Sequence, residues 1–305
     1  MAAEFSATDV ALNGFRVVWQ RPLAVVYWAA VQLVFTLGIT AFVAASAGPA
    51  FMKLSEMGFQ PVADPTRVLA LFRQVLPTYI AVMAAILVFY AVISAAMNRA
   101  VLRPADDAFG YLRLSSDELR QLGLLAALAG MILAAYIVLV MTCSILAGLL
   151  GVAIGAGGAS AALVAILIVS TVVMLAFLGV RFSLASAHTF ASRRIDILGA
   201  WRMTQGRFWP LLGTYAMALA LNLVVALISS ALALVAAMIV GGGFSALRTA
   251  GGGDMSTLQA ALAPARLAYL LVSAAGTALA WPVRMTPPAA IYRILTGDAT
   301  SQVFA

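Results

Sequence analysis

The residues with the clearest chemical potential are arginines that stand in pairs beside aromatic side chains. Arg16 and Arg21 are five residues apart in "GFRVVWQRPLAVV", and Arg202 and Arg207 have the same spacing in "AWRMTQGRFWPLL". A looser third copy begins at Arg113. Because a guanidinium can donate two parallel hydrogen bonds to a phosphate, these pairs favour binding of phosphate or another anionic group.

The chain that must position these arginines is mostly apolar. Of its 305 residues, 64% are hydrophobic and 10% are charged, whereas soluble proteins have roughly 45–50% apolar and 25% charged residues. A net charge of +7 could by itself indicate nucleic acid or anionic lipid, but the basic residues lie in short connectors between apolar runs, which argues against nucleic acid. The sequence therefore predicts an integral membrane protein whose partners are membrane phospholipids, with a protein partner left open.

Six apolar runs are long enough to cross a bilayer core of about 30 Å as helices. They lie at 23–45, 75–98, 122–150, 160–180, 211–240 and 267–283, and none of them contains a formal charge. We expect the glycine-rich stretch at 151–160 to form a hairpin between the third and fourth runs. We expect Pro282 and the "TPP" at 286–288 to end the sixth run, because proline cannot continue the hydrogen-bond ladder.

Basic residues are distributed unevenly between the two predicted faces of the membrane. One face carries 13 of the 18 lysines and arginines, and the other carries five. The positive-inside rule then places both termini in the cytoplasm.

The arginine pairs also divide the chain into three similar parts. We predict one polytopic domain over 1–305, built from repeat units at approximately 6–101, 104–190 and 194–293. Each unit would hold a cytoplasmic amphipathic elbow helix followed by a hairpin of two spans. The predicted fold class is therefore an all-α membrane protein with six transmembrane helices in three hairpin repeats.

The third elbow shows what such a helix could contact. Asp196 precedes a segment in which Ile197, Ala200 and Trp201 share one helical face, with Arg202 off that face. We predict that this helix lies flat on the membrane, with its apolar side in the headgroup boundary and its arginine facing phosphate. Three tryptophans near the elbows would serve as interfacial anchors: Trp19, Trp201 and Trp209.

Three segments carry a resemblance to a known family: "VRFSLASAHTF" at 180–190, "AWRMTQGRFWPLLG" at 200–213 and "WPVRMTPPAAIY" at 281–292. They resemble the bacterial six-helix membrane domain found fused to glycerophosphoryl diester phosphodiesterases, over nearly the whole chain. The resemblance implies a six-helix fold in a bacterial inner membrane. In such fusions a separate soluble barrel performs hydrolysis with histidine, carboxylates and a metal, and we expect no such barrel here. The resemblance therefore implies an architecture and not an activity.

Two uses of the connector arginines remain open from the sequence. They could anchor the helices by reaching the interface, or they could bind lipid headgroups. Arg99, Arg181 and Arg284 stand at the inner ends of three spans, and they could converge on one phosphate. The candidate headgroup-binding residues are Arg113, Arg202, Arg207, Arg181, Arg284, Arg16 and Arg21.

Polar residues inside the spans offer a different function. Asn222 and Gln32 are the candidates for a polar site within the bundle, which a transporter of a small or lipid-like amphiphile would need. One histidine and one cysteine cannot form a metal site, and no nucleophile and base are clustered. We therefore expect no cofactor, no metal and no enzymatic activity. The leading prediction is a protein that engages anionic headgroups or recruits partners at its elbows, with transport as the alternative.

Overall fold

The computed structural model of the chain describes residues 6–57, 65–154, 156–247 and 254–297, and these residues are largely helical with no strand among them. The helices that matter below are α1 (Ala7–Gln20), α2 (Pro22–Met57), α3 (Pro65–Leu102), α4 (Ser116–Ile154), α5 (Ala156–Phe182), α6 (Ala185–Ser192), α7 (Ile197–Met203), α8 (Phe208–Gly241), α9 (Leu258–Ala261) and α10 (Pro264–Leu295). A short 3-10 turn, Ala108–Tyr111, lies between α3 and α4.

Six of these helices are long and apolar enough to cross a membrane: α2, α3, α4, α5, α8 and α10. This confirms the predicted number of spans. Large apolar side chains stay exposed along them, including Val34, Val138, Val172 and Ile239. Such exposure is unfavourable in water and favourable against lipid, as a polytopic membrane protein requires.

The prediction that proline ends the sixth span is wrong. Helix α10 runs through Pro282 and through both prolines at 287–288 to Leu295. A proline removes one backbone donor, but membrane helices tolerate this where a hydroxyl or a neighbouring helix satisfies the freed groups. Within this segment Thr286 Oγ1 donates a 2.7 Å hydrogen bond to the carbonyl oxygen of Pro282, one turn back along the helix. Because α10 is longer than predicted, it carries Arg266 and Arg284 inside it rather than beyond its ends.

The predicted hairpin between the third and fourth runs agrees with two neighbouring helices that pack against each other, but its glycine-rich stretch at 151–160 is largely helical over the residues that the structure describes. Helix α4 continues to Ile154, and α5 begins at Ala156. Residue 155 lies outside the described residues. Glycine weakens a helix in water, but the lack of any alternative backbone partner in an apolar medium keeps such segments helical.

The described residues form two compact units. The first, which we name the elbow unit, takes its described residues from 6–11, 114–217 and 287–297. The second, which we name the pocket unit, takes its described residues from within 12–113 and 218–286.

The core of the elbow unit includes part of the third elbow. Leu124, Leu184, Ala200 and Leu211 are fully buried, and Ile197 packs against them. The face of α7 that carries Ala200 therefore packs on protein. Contact of this helix with headgroups stays a prediction. The threefold repeat and the flat placement of the other elbows stay predictions.

The core of the pocket unit is built around two buried tryptophans. Trp28 and Trp281 are 0% and 1% exposed. Trp28 Nε1 donates a 2.7 Å hydrogen bond to the carbonyl oxygen of Gly110. A Cβ at Gly14 would lie 2.3 Å from the Cα of Val283, so only glycine lets α1 approach α10 this closely. This packing fixes the position of α10, which carries most of the site described next.

Candidate ligand pocket

A cavity of about 290 Å³ lies inside the pocket unit, between α3, α8 and α10. This is close to the lower limit of the roughly 300–1,000 Å³ of small-molecule sites. Hydroxyl, amide and guanidinium groups line it although the helices are otherwise apolar. The polar residues of the lining that matter most are Tyr90, Asn222, Ser229, Ser273, Thr277 and Arg284.

Helical spacing explains why these residues meet in one place. On α8 the lining residues fall at 222, 226, 229 and 230, and on α10 they fall at 269, 273, 276, 277, 280, 281 and 284. Steps of three and four residues return to the same face of an α-helix. Each helix therefore turns one mostly polar stripe toward the cavity.

Two close approaches show that α8 and α10 run antiparallel. A Cβ at Gly276 would lie 2.3 Å from the Cβ of Ser229, and a Cβ at Gly241 would lie 2.9 Å from the Cβ of Ala265. Moving along α8 from Ser229 to Gly241 thus corresponds to moving backwards along α10 from Gly276 to Ala265. Glycine at 276 allows the two helices to touch beside the cavity.

This register places Asn222 and Arg284 at the same level of the bundle. Asn222 precedes Ser229 by seven residues, and Arg284 follows Gly276 by eight. At 1.5 Å per residue these are displacements of about 10 and 12 Å in the same direction. The amide and the guanidinium therefore belong to the same end of the cavity.

The contacts at this end leave hydrogen-bonding capacity unused. Arg284 Nη2 donates to Tyr90 Oη at 3.3 Å, and its guanidinium carbon lies 5.6 Å from the centre of the Tyr90 ring. The side chain of Arg284 is exposed, and the Oδ1 atom of Asn222 is buried with no hydrogen-bond partner among the described residues. An unpaired buried acceptor beside an arginine with five donors suits a ligand that has both an anionic group and a donor.

The other half of the predicted bundle site lies elsewhere. Gln32 Nε2 donates a 2.7 Å hydrogen bond to Thr36 Oγ1 on its own helix. Gln32 does not belong to the lining of the cavity, so the structure does not bring it together with Asn222.

Arg181 has a different environment from Arg284. In the elbow unit, its Nη1 donates to the carbonyl oxygen of Thr204 at 3.3 Å, and Thr204 Oγ1 donates back to the carbonyl oxygen of Arg181 at 3.2 Å. Its guanidinium carbon lies 5.1 Å from the Trp201 ring centre and 5.4 Å from that of Phe177. Trp201 is thus a packing partner of Arg181, and its role as an interfacial anchor stays a prediction.

Arg99 is likewise held by its own chain. It is 2% exposed, and its Nη1 donates a 2.5 Å hydrogen bond to the carbonyl oxygen of Tyr111. It does not line the cavity. Of the three arginines predicted to meet on one phosphate, Arg99 and Arg181 hold carbonyls of the connector that follows their helix, and Arg284 lines the pocket.

The remaining arginines of the predicted headgroup set lie at or near the surface. Arg21 pairs with Asp107 at 2.6 Å, while Arg113 and Arg202 lie 4.0 Å from Asp106 and Asp196 respectively. Arg16 and Arg207 are half-buried. A phosphate at Arg21 would therefore compete with a carboxylate that is already in place.

Two of the predicted anchor tryptophans are exposed, and the predicted elbow helix α7 begins at a capping aspartate. Trp19 and Trp209 are 88% and 76% exposed. Asp196 accepts a 2.7 Å hydrogen bond from the backbone N–H of Gly199 and so caps α7. Over the described ranges, no three histidine, cysteine, aspartate or glutamate side chains come close enough to hold a metal ion.

Comparison of the chain with family models, with curated proteins and with solved structures gave no match. The resemblance to the membrane domain of phosphodiesterase fusions therefore stays a prediction. Function has to be argued from the geometry of the pocket and of the arginines.

Proposed function

We propose that this protein binds a small anionic or lipid-like amphiphile in the pocket and moves it through the pocket unit. The observation that carries the proposal is that Arg284 and the Asn222 carbonyl lie at the same height along the helices, at one end of a cavity lined by hydroxyls. That carbonyl has no hydrogen-bond partner among the described residues. Polar groups inside a membrane bundle are costly to keep unless a ligand or a partner uses them. On this proposal the protein is a non-enzymatic carrier or binding protein.

The chemistry of the lining defines the ligand. An anionic headgroup can take parallel hydrogen bonds from Arg284, and a ligand hydroxyl or ammonium can donate to Asn222 Oδ1. The low dielectric of the bundle strengthens both interactions relative to water. Ala226, Ala280 and the ring of Trp281 supply apolar wall for the rest of the molecule. The expected ligand is thus an amphiphile with a phosphate or carboxylate headgroup.

The polar lining of α10 is long enough for a ligand to move along it, which favours transport over binding at one point. Tyr269 and Arg284 are 15 residues apart on α10, which is about 22 Å of helix. The hydrocarbon core of a bilayer is about 30 Å thick. The polar stripe therefore extends over most of that thickness. On the orientation that the positive-inside rule predicts, the Arg284 end faces the cytoplasm of a bacterial cell.

A second candidate function rests on the surface of the elbows. Trp19 and Trp209 are exposed, and the side chain of Arg202 is 72% exposed. Exposed tryptophan beside arginine is the combination that binds anionic headgroups at an interface. On this alternative the elbows recruit lipid or a protein partner, and the pocket is incidental.

One binding experiment separates the two candidates. The delipidated full-length protein in detergent is titrated with dihexanoylphosphatidic acid, and bound molecules are counted by native mass spectrometry. We expect Arg284→Gln to weaken binding about 10- to 100-fold, since a hydrogen bond to a charged group contributes roughly 1.5–3 kcal/mol. Arg202→Gln is the matched control and is expected to bind like the parent.

The reverse pattern would contradict the proposal. If Arg202→Gln removes the bound lipid while Arg284→Gln keeps it, the elbows are the binding surface. Zwitterionic dihexanoylphosphatidylcholine is the control for charge, and we expect it to bind more weakly than the phosphatidic acid.

A further inference from the structure

The opposite end of α10 carries an arginine that the pocket does not use. Arg266 lies in the first turn of α10 and is 8% exposed. Its Nε and Nη1 atoms are buried and have no hydrogen-bond partner in the part of the chain that the structure describes. Burying these two nitrogens without acceptors is unfavourable, because their N–H groups have lost their hydration.

Arg266 continues the face of α10 that lines the cavity. It precedes Tyr269, a lining residue, by three positions, so the two side chains are neighbours on one helical face. Arg284 stands 18 residues further along, which is about 27 Å of helix. An arginine therefore stands at each end of this face.

The two ends differ in access. Arg284 is exposed. Near Arg266, small side chains of α8, of the segment after it and of α10 pack together: Ala237, Ala246 and Ala265 are 0%, 4% and 7% exposed. The structure is thus open at the Arg284 end and closed at the Arg266 end.

A glycine keeps this closed end tight. A Cβ at Gly241 would lie 2.4 Å from the Cβ of Ala246 and 2.9 Å from that of Ala265. Both distances are shorter than side chains tolerate, so the contact between α8 and α10 closes only because residue 241 has no side chain. The two glycines that follow, Gly242 and Gly243, have φ values of 74° and 126°, which L-residues rarely adopt. We name the contact of Gly241, Ala246 and Ala265 the alanine seam.

We propose that Arg266 is a second anion-binding residue of the same pathway, and that it is uncovered when the alanine seam separates. Its two unpaired N–H groups then donate to the phosphate or carboxylate of the ligand, and the N-terminus of α10 adds a favourable potential. The identity of the ligand rests on the proposed function, whereas the location of the site rests on the buried guanidinium and the seam. The pathway is then an anion pathway with one arginine near each membrane face.

The seam can be opened by a single methyl group. Gly241→Ala places a Cβ where Ala246 and Ala265 leave no room, so the seam has to part. Gly38→Ala is the matched control, because a Cβ at Gly38 meets nothing within 4 Å. The full-length protein, its two glycine variants and the double variant Gly241→Ala with Arg266→Gln are titrated with inorganic phosphate and with dihexanoylphosphatidic acid. Bound anions are counted by native mass spectrometry.

We expect the parent and Gly38→Ala to bind one anion, Gly241→Ala to bind two, and the double variant to return to one. A second ion with phosphate alone identifies a free-anion site, and a second ion only with phosphatidic acid identifies a headgroup site. The proposal is overturned if Gly241→Ala gains no anion, or if the double variant keeps the second one.

A stability measurement keeps the proposal testable if Gly241→Ala folds poorly. Because Arg266 is unpaired in the closed state, Arg266→Met is expected to unfold at the same or a higher temperature than the parent in anion-free buffer. A lower unfolding temperature would mean that Arg266 supports the fold, which overturns its assignment as a ligand site. Loss of the first anion in Arg284→Gln tests the proposed function separately, since that residue lies at the other end of α10.

Discussion

Arg181 and Arg284 both stand near the end of an apolar run, yet the structure uses them differently. Arg181 donates to the carbonyl oxygen of Thr204 and lies over two aromatic rings. Arg284 donates a side-chain hydrogen bond to Tyr90 and lines a cavity that also contains the Asn222 carbonyl, which has no partner among the described residues. The first arginine is engaged by its own chain, and the second is available to a ligand.

The difference follows from where each helix ends. Helix α5 ends one residue after Arg181, so that arginine can hold the connector that folds back beside it. Arg99 does the same for the connector after α3. Helix α10 continues for 11 residues beyond Arg284, so the chain that follows the helix begins about 16 Å further along its axis. An arginine at the edge of an apolar run is therefore a ligand candidate only where its helix continues well beyond it.

Among the variants that test the difference between these arginines, Arg99→Ala is expected to lower the free energy of unfolding the most. Arg99→Ala removes a 2% exposed side chain and leaves the Tyr111 carbonyl unpaired. Leaving a buried carbonyl unpaired costs about 1–3 kcal/mol, and the cavity left by the removed side chain adds to this. We expect that loss in the free energy of unfolding, measured by chemical denaturation in detergent, with no selective loss of anion binding. Arg73→Ala, an exposed position on the same helix, is expected to change it by less than about 0.5 kcal/mol.

A smaller effect is expected where α8 meets α10. Gly276→Ala puts a methyl group 2.3 Å from the Cβ of Ser229, and overpacking of this kind costs about 1–3 kcal/mol. We expect a lower unfolding temperature together with weaker anion binding, because the same contact borders the pocket. Adding Ser229→Gly should restore both. If the pair of changes restores neither, the contact does not shape the pocket.

The smallest effect concerns the cap of α7, which supports the Arg181 region. The N–H of Gly199 and a hydrogen bond to His188 hold the pKa of Asp196 below its ordinary value of 3.8. A depressed carboxyl pKa stabilises the fold above that value, and the contribution is lost as the pH falls below it. The difference in unfolding temperature between the parent and Asp196→Ala should therefore be constant near neutral pH and should shrink below about pH 4.

Asp196→Asn is the control for this titration. Its amide oxygen can still accept from Gly199, but it carries no proton to lose. We expect its unfolding temperature to lack the acid step that Asp196 contributes. An unchanged acid step in the asparagine variant would assign the titration to another group.

Hydropathy alone predicts the six spans, because any helix that crosses the core must be about 20 residues long and apolar. It fails at Pro282, since a membrane helix tolerates a proline where its surroundings satisfy the freed backbone groups, and hydropathy does not record those surroundings. It also places the facing ends of α4 and α5 too far apart, because the apolar medium outweighs the low helix propensity of the glycines before Ser160. The number of spanning helices can therefore be predicted from hydropathy. The residues at which each helix begins and ends depend on local hydrogen bonds and packing.

The pocket was only half predictable. Asn222 stands out as a polar residue in mid-span, and the serines and threonine of α8 and α10 recur at steps of three and four residues, which could have marked one polar stripe on each helix. That spacing does not predict which helices pack against each other. Contacts such as that of Gly276 with Ser229 decide it, and alanine-rich faces offer many equivalent pairings. For the same reason the pairing of Arg99 with Tyr111 could not be foreseen.

The most direct test compares Arg284→Gln with Arg181→Gln in two assays on the same preparations. One assay measures the affinity for dihexanoylphosphatidic acid, and the other measures the temperature of unfolding in detergent. The account predicts that Arg284→Gln loses affinity and keeps the parent's unfolding temperature, while Arg181→Gln unfolds at a lower temperature and keeps the parent's affinity. An Arg181→Gln protein that loses the lipid, beside an Arg284→Gln protein that retains it, would contradict the account.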